Sequence, residues 1–224
     1  MRRRDFAVTA SKLAATGRRF YMRGWALGTS GNFSAVVSRA PLRLAITASS
    51  VPKGALAARD ILECDERGKV TGGRRGRPSA ETLLHIAVVK KRGAGAVLHT
   101  HSVWSTMLSD VWASGSGADG LAIEGYEMLK GLSGVASHEH RELLPVLEND
   151  QDIPRLAGRV REALDRFPDA HAFLLRRHGL YTWGDTLEEA ERHVEILEFL
   201  LETVGRTQSR ADAARTPGGT SWRY

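Results

Sequence analysis

One cysteine, Cys64, is all the thiol this chain has, so no intrachain disulfide can brace it and its stability must come from a packed core. It sits in Ile61-Leu62-Glu63-Cys64-Asp65, a segment of strand character, and reads as a buried structural residue. No stretch approaches the ~18 consecutive apolar residues of a spanning helix, and Arg2-Arg3-Arg4 leads into no apolar signal segment. The expectation is a reduced, cytoplasmic protein with no membrane partner. Nucleic-acid signatures are missing too. The formal net charge is +6, yet 32 Lys and Arg are interleaved with 26 Asp and Glu, and the dense basic cluster is confined to Arg74-Arg75-Gly76-Arg77. Such a diffuse surplus suits small anions better than a phosphate backbone, so no nucleic acid is expected. Gly93-Ala94-Gly95 follows a helix pattern and precedes a strand pattern, the reverse of a dinucleotide fingerprint, and reads as a turn.

What is present is an ordinary globular composition, 42% hydrophobic and 26% charged, in 224 residues, enough for one sizeable core. No repeat or linker divides the chain, and helix and strand patterns alternate throughout, which predicts a single α/β domain. Helices are predicted over residues 6–24, 80–91, 102–108, 152–167 and 186–204, the first ending near Gly24 and the second capped by Ser79 with Glu81 in its first turn. Ala190, Val194, Leu197, Leu201 and Val204 give the last helix an apolar face suited to core or subunit contact. Strands are predicted at 35–38, 42–47, 61–64, 69–71, 96–101, 143–147, 172–176 and 180–183.

The chemistry concentrates in Ala96-Val97-Leu98-His99-Thr100-His101 and, far downstream, Arg177-His178-Gly179. On a strand the pleat sends His99 and His101 to one face, spaced for a metal ion, although His-x-His also occurs by chance. Loops rich in small hydroxyl and amide residues at 29–32, 49–53 and 79 can offer N–H groups and hydroxyls to an anion, with Lys53 adding a charge. Each is equally readable as turn chemistry.

Together these residues resemble the class II aldolase and adducin-head family, zinc-dependent enzymes of sugar phosphates. The resemblance rests on Gly28-Thr29-Ser30-Gly31-Asn32-Phe33-Ser34, Ile46-Thr47-Ala48-Ser49-Ser50-Val51-Pro52, Pro78-Ser79-Ala80-Glu81, His99-Thr100-His101 and His178-Gly179. It implies one domain over 1–224, with a core at about 8–205, a central mostly antiparallel β-sheet flanked by helices, and a loosely ordered tail at 207–224. Arg92-Gly93-Ala94-Gly95, Glu124-Gly125-Tyr126-Glu127-Met128-Leu129-Lys130-Gly131, Pro145-Val146-Leu147-Glu148-Asn149 and Arg177-His178-Gly179-Leu180-Tyr181-Thr182-Trp183-Gly184 are most similar to a hydro-lyase branch acting on a methylthio sugar phosphate in methionine salvage.

The resemblance makes His99, His101 and His178 ligands of one Zn2+ per subunit, Glu127 the catalytic acid/base, and Asn32, Ser49, Ser50 and Ser79 phosphate-binding residues, with Lys53 a further one. Glu81 falls where aldolase members keep an acid/base or metal-site carboxylate, so a sugar-phosphate aldolase or epimerase is the alternative. A non-catalytic scaffold like the adducin head is disfavoured by retention of all three histidines and both glutamates. The partners implied are a small sugar phosphate and further copies of the chain, as a tetramer. One departure stands out: Ala48-Ser49-Ser50 replaces the Pro-Thr-Gly of many members, so close main-chain approach of a phosphate at Ser50 loses its glycine. His85, His138, His140, His171 and His193 have no assigned role; His138 and His140 lie near enough to Glu127 in sequence to reach the pocket, and Trp104 or Tyr126 could meet the methylthio group.

Overall fold

The computed structural model describes residues 3–115 and 120–215. In chain order these form α1 (Arg3–Met22), β1 (Asn32–Arg39), β2 (Leu42–Thr47), β3 (Ile61–Asp65), β4 (Val70–Thr71), α2 (Thr82–Arg92), β5 (Ala96–Thr100), α3 (Val103–Gly115), β6 (Gly120–Glu124), β7 (Arg141–Leu147), α4 (Ile153–Arg166), β8 (Ala172–Leu175), β9 (Gly179–Gly184) and α5 (Leu187–Arg215). A short 3-10 helix at Glu127–Gly131 follows β6. The nine strands make one sheet in the order β4-β3-β2-β1-β5-β9-β8-β7-β6, and every pairing is antiparallel except β7 with β8. This is the expected mostly antiparallel sheet flanked by helices. No helix of the described residues is long and apolar enough to cross a membrane.

Alternation along the strands sorts the core. Leu44, Val97, Phe173, Tyr181 and Trp183 pack on one face against α2 and α4. Phe33, Ala35, Ala96 and Leu98 pack on the other against α1 and the start of α5, and α3 with the rest of α5 covers Leu121, Leu144 and Leu174. In α4 the repeat Leu156, Val160, Leu164 places three fully buried side chains on one stripe, each contributing about 1.5–3 kcal/mol by burial. Asp152 caps that helix by accepting a hydrogen bond from the Arg155 N–H at 3.1 Å.

The register matters most for the site. Asn32 of β1 stands opposite His99 of β5, which stands opposite Tyr181 of β9, which stands opposite Phe173 of β8. One row across four strands therefore carries a metal-ligand candidate with its neighbours on both sides.

Several elements differ from the sequence expectation. β1 begins at Asn32, so Asn32, Phe33 and Ser34 are strand rather than loop, because pairing with β5 overrides their local composition. Ser79 is not the cap of α2. The helix starts at Thr82 with Glu81 in the cap position, and Ser79 sits two residues before that cap, where its Oγ accepts the Glu81 N–H at 3.3 Å and its carbonyl the Thr82 N–H at 3.2 Å while Pro78 bridges Ala48. α3 runs beyond 108 to Gly115, β6 is an additional strand, and α5 continues through Thr207 to Arg215, so the tail expected from 207 onward is helical as far as it is described. Residues 216–224 lie outside the described residues. Cys64 is buried and free, as expected, and burial pushes its thiol up to about 11.

Candidate metal centre and phosphate cleft

His99 is the next-to-last residue of β5 and His101 follows the strand directly, held by donation of its backbone N–H to Trp25 O at 2.8 Å. His178 arrives from the β8–β9 turn, where Arg177 takes φ 52 and Gly179 lies so near Thr100 O that a side chain would collide. The three imidazoles converge. The Nε2 atoms of His99 and His101 are 2.7 Å apart and those of His99 and His178 3.3 Å apart. Glu81 joins them, with Oε1 3.3 Å from His178 Nε2 and Oε2 3.5 Å from His99 Nε2.

Hydrogen bonding fixes what these atoms are. His99 donates its Nδ1–H to Leu180 O at 2.9 Å and His178 donates its Nδ1–H to Asn149 Oδ1 at 3.3 Å, so both Nε2 atoms present lone pairs. Lone pairs and a carboxylate gathered this closely repel unless a cation lies among them. Burial, then the neighbouring imidazoles, lower the pKa of His99, and His101 is pushed down to about 3 by burial, His178 and Lys53. Protons do not supply the missing positive charge. The donor set suits a divalent ion: at bonds of about 2.0–2.1 Å, tetrahedral nitrogen ligands stand roughly 3.3 Å apart, the His99–His178 spacing.

Glu81 is aimed by a buried chain. Ser34 Oγ bonds His85 Nδ1 at 2.7 Å, His85 Nε2–H donates to Asn32 Oδ1, and Asn32 Nδ2 donates to Glu81 Oε2. The Asn32 Oδ1 and one amide N–H are thereby engaged, which orients Glu81 and leaves one N–H of this cleft-lining side chain for a ligand. His85 stays neutral, its pKa lowered to about 3 by burial. His85 and Tyr181 are participants the sequence reading missed. The spacing of Glu81 and His85, i and i+4 across the start of α2, was the available signal for the first. Nothing local marks Tyr181 or Asn149.

Beside the metal centre opens a cleft of about 390 Å³ lined by Asn32, Ser49, Ser50, Lys53, Ser79 and Glu81, together with His101 and His178. Two loops are stitched side by side here, since Ser49 N–H donates to Arg77 O at 2.8 Å and Ser79 N–H to Thr47 O at 3.1 Å. Lys53 is almost fully buried. Its ammonium donates to Thr29 O at 2.9 Å and Val51 O at 3.1 Å, leaving one N–H for a ligand, and burial lowers its pKa to about 8. Ser50 takes φ 62, the left-handed conformation that glycine adopts freely.

Glu127 is not brought to this cleft within its own chain: it is exposed on the 3-10 helix after β6 and pairs with Lys130. His138, His140, Trp104 and Tyr126 do not line the cleft either. His140 bonds Glu142, while Trp104 and Tyr126 pack on the cluster beneath α3 and α5.

Residues 11–204 match the profile of the family described as Class II Aldolase and Adducin N-terminal domain. The chain is 45% identical over 199 residues to a methylthioribulose-1-phosphate dehydratase of Methylococcus capsulatus (strain Bath), covering 88% of this chain and 93% of that protein. It is 42% identical over 198 residues to the enzyme of the same name from Marinobacter nauticus, with 88% and 92% covered. Among solved structures, L-fuculose-1-phosphate aldolase from Thermus thermophilus superposes with a TM-score of 0.69 at 24% identity, covering 94% of this chain and 99% of that one.

Proposed function

The chain belongs to the class II aldolase and adducin N-terminal domain family, and from that membership we propose that it dehydrates 5-methylthioribulose 1-phosphate to 2,3-diketo-5-methylthiopentyl 1-phosphate, a hydro-lyase step of methionine salvage. The observation that carries the reading is identity of 42–45% over about nine-tenths of the chain to proteins named for that reaction.

Zn2+ is the ion assigned, one per subunit, because three neutral imidazoles gathered with the Glu81 carboxylate are a nitrogen and oxygen donor set that suits zinc. When bound, it supplies a Lewis acid that acidifies the C–H beside the substrate carbonyl. His99, His101 and His178 hold it, and the outer hydrogen bonds of His99 to Leu180 and of His178 to Asn149 set the orientation of those two rings. Lys53, Ser49, Ser50 and Ser79 take the phosphate, with Lys53 giving the charge-assisted contact. Glu127 takes the proton from C3 and delivers one to the C4 hydroxyl, which leaves as water; the enol that remains at C3 becomes the second ketone.

For Glu127 to reach a cleft it does not line, we assign it to the cleft of a neighbouring copy in a homotetramer. Glu127 and Met128 are exposed, and α3, which starts beside His101, shows an unpartnered apolar stripe of Val103, Met107 and Val111. We assign the enzyme to the cytoplasm, since a phosphorylated substrate does not cross a lipid bilayer.

Glu81 supports a second reading. A carboxylate already at the metal centre could instead take the proton of the C4 hydroxyl and cleave C3 from C4, which is aldolase chemistry. Incubating zinc-loaded protein with 5-methylthioribulose 1-phosphate decides between them. Formation of the enolisable diketone with loss of water is expected, and release of a three-carbon phosphate would make the protein an aldolase.

A further inference from the structure

A second cluster of titratable side chains lies away from the metal centre, and its hydrogen bonds dictate opposite protonation states for two histidines. Glu142 is almost fully buried, and its carboxylate accepts three N–H groups: His171 backbone N at 2.9 Å, His171 Nδ1 at 2.8 Å and His140 Nε2 at 2.9 Å. The other ring nitrogen of His171 faces Ser133 O at 2.8 Å, which can only accept. Both His171 nitrogens therefore donate, and the ring is an imidazolium. Unlike the imidazoles at the metal centre, each ring nitrogen aimed at Glu142 brings a proton to the carboxylate, so this cluster needs no metal ion.

His193 is the reverse case. Its Nδ1–H donates to Trp183 O at 2.7 Å, and its Nε2 receives the Ser133 backbone N–H at 3.2 Å, so that nitrogen must be bare. The Ser133 hydroxyl lies 3.0 Å from the same Nε2 and donates to Glu189, with Arg192 at 3.3 Å. Every polar atom of Ser133 is thus gripped. Ser133 closes the segment that begins at Glu127 and is anchored beneath by buried Leu129 and Leu132.

We propose that His171 and His193 are positioning residues that hold the Ser133 main chain from two sides and thereby fix the segment carrying Glu127. The inference rests on the role given to Glu127 above. The groups facing the pair are Glu142, His140 and Arg92 around His171, and Glu189 and Arg192 around His193; the two imidazoles also face each other at 5.6 Å between ring centroids. Burial opposes the charge on His171, but Glu142 outweighs it and the pKa is raised, whereas burial lowers that of His193. Acid puts a second proton on His193 against the Ser133 N–H. Alkali removes one of the two protons His171 needs. The grip is complete only between those two titrations.

The test follows amide hydrogen exchange of a peptide spanning 127–133 in the metal-loaded protein, alongside kcat, KM and metal content. In His171→Asn, whose amide replaces Nδ1 alone, exchange of that peptide should rise about tenfold and kcat fall about tenfold, with KM and bound metal unchanged. His171→Gln, whose amide reaches where Nε2 stood, should restore much of both. In the unmodified protein, protection of 127–133 corrected for intrinsic exchange should peak near neutral pH and fall on both sides. Unaltered exchange in His171→Asn, or a flat pH profile, overturns the clamp. Faster exchange with unchanged kcat upholds the clamp and removes Glu127 from the reaction.

Discussion

The Tyr181 ring lies flat against that of His99, with centroids 3.8 Å apart and planes 13° from parallel, and Phe173 continues the stack on the other side at 4.8 Å. The register row across β5, β9 and β8 makes this possible. The stack limits rotation of a ring whose Nδ1–H is already committed to Leu180, so His99 Nε2 is held in place for the metal ion proposed above. Tyr181→Leu should weaken metal binding by roughly 10–100-fold, while Tyr181→Phe, which keeps the stack, should bind as the unmodified protein does. Competition against a chromogenic chelator measures both. Equal affinity for the Leu variant would show that the stack is only core packing.

At Ser50 the main chain demands what serine gives reluctantly. Its φ of 62 costs a residue with a Cβ about 1 kcal/mol relative to glycine. Ser50→Gly should raise the melting temperature by about 2 °C, with KM for the phosphorylated substrate unchanged or lower because the main-chain N–H remains. A several-fold increase in KM would mean that the hydroxyl of Ser50 holds the phosphate.

The His99–His101 pair, the cleft loops and the α/β class have local signatures in spacing, small polar residues at element ends and alternation, whereas the mostly antiparallel sheet and His178 as a third ligand followed only from the family resemblance of ordered motifs. The amphipathic α4 was found almost to the residue, since Asp152 caps it and Leu156, Val160 and Leu164 mark its face. What escaped depends on which strands become neighbours. Asn32 and Tyr181 flank His99 only because β1 and β9 both pair with β5, and His85 acquires its partners only once α2 lies across β1. No window of sequence contains those distances. Ser79 reads as the cap because its Oγ does accept the Glu81 N–H at 3.3 Å, but the helix itself begins only at Thr82.

Beneath the ligand strand, Glu198 of α5 accepts the Thr100 hydroxyl at 2.6 Å, and its Oε2 has no hydrogen-bond partner among the described residues. Burial raises its pKa to about 7 from 4.5. At this group the folded protein keeps a proton that the unfolded chain releases, so the contribution of Glu198 to stability is most favourable below about pH 4.5 and declines as pH rises to about 7. Above that, the buried charge costs about 3 kcal/mol. Glu198→Gln keeps an acceptor for Thr100 and carries no charge. Its melting temperature should exceed that of the unmodified protein by on the order of 5 °C at pH 8 and differ little at pH 5. A constant difference across that range would show that charge burial is not the cause.

Glu127 and the histidines it is proposed to serve are separated in one chain, which makes the proposed sharing of a site between copies measurable. Glu127→Gln should retain metal and melting temperature, since its partner Lys130 is exposed on the same short helix, while dehydration falls about 100-fold or more. His178→Ala should lose the metal and activity but keep an intact Glu127. Neither variant works alone. If each cleft joins the histidines of one copy to Glu127 of another, unfolding and reassembling the two variants in equal amounts should generate unaltered sites. Random pairing restores about one quarter of the unmodified activity. Titrating the ratio of the two should give a curve symmetric about equal mixing, because each restored site takes one intact half from each variant. Mixtures that remain as inactive as their components, although mass spectrometry shows that subunits have exchanged, would confine any action of Glu127 to its own chain and end the shared-site assignment.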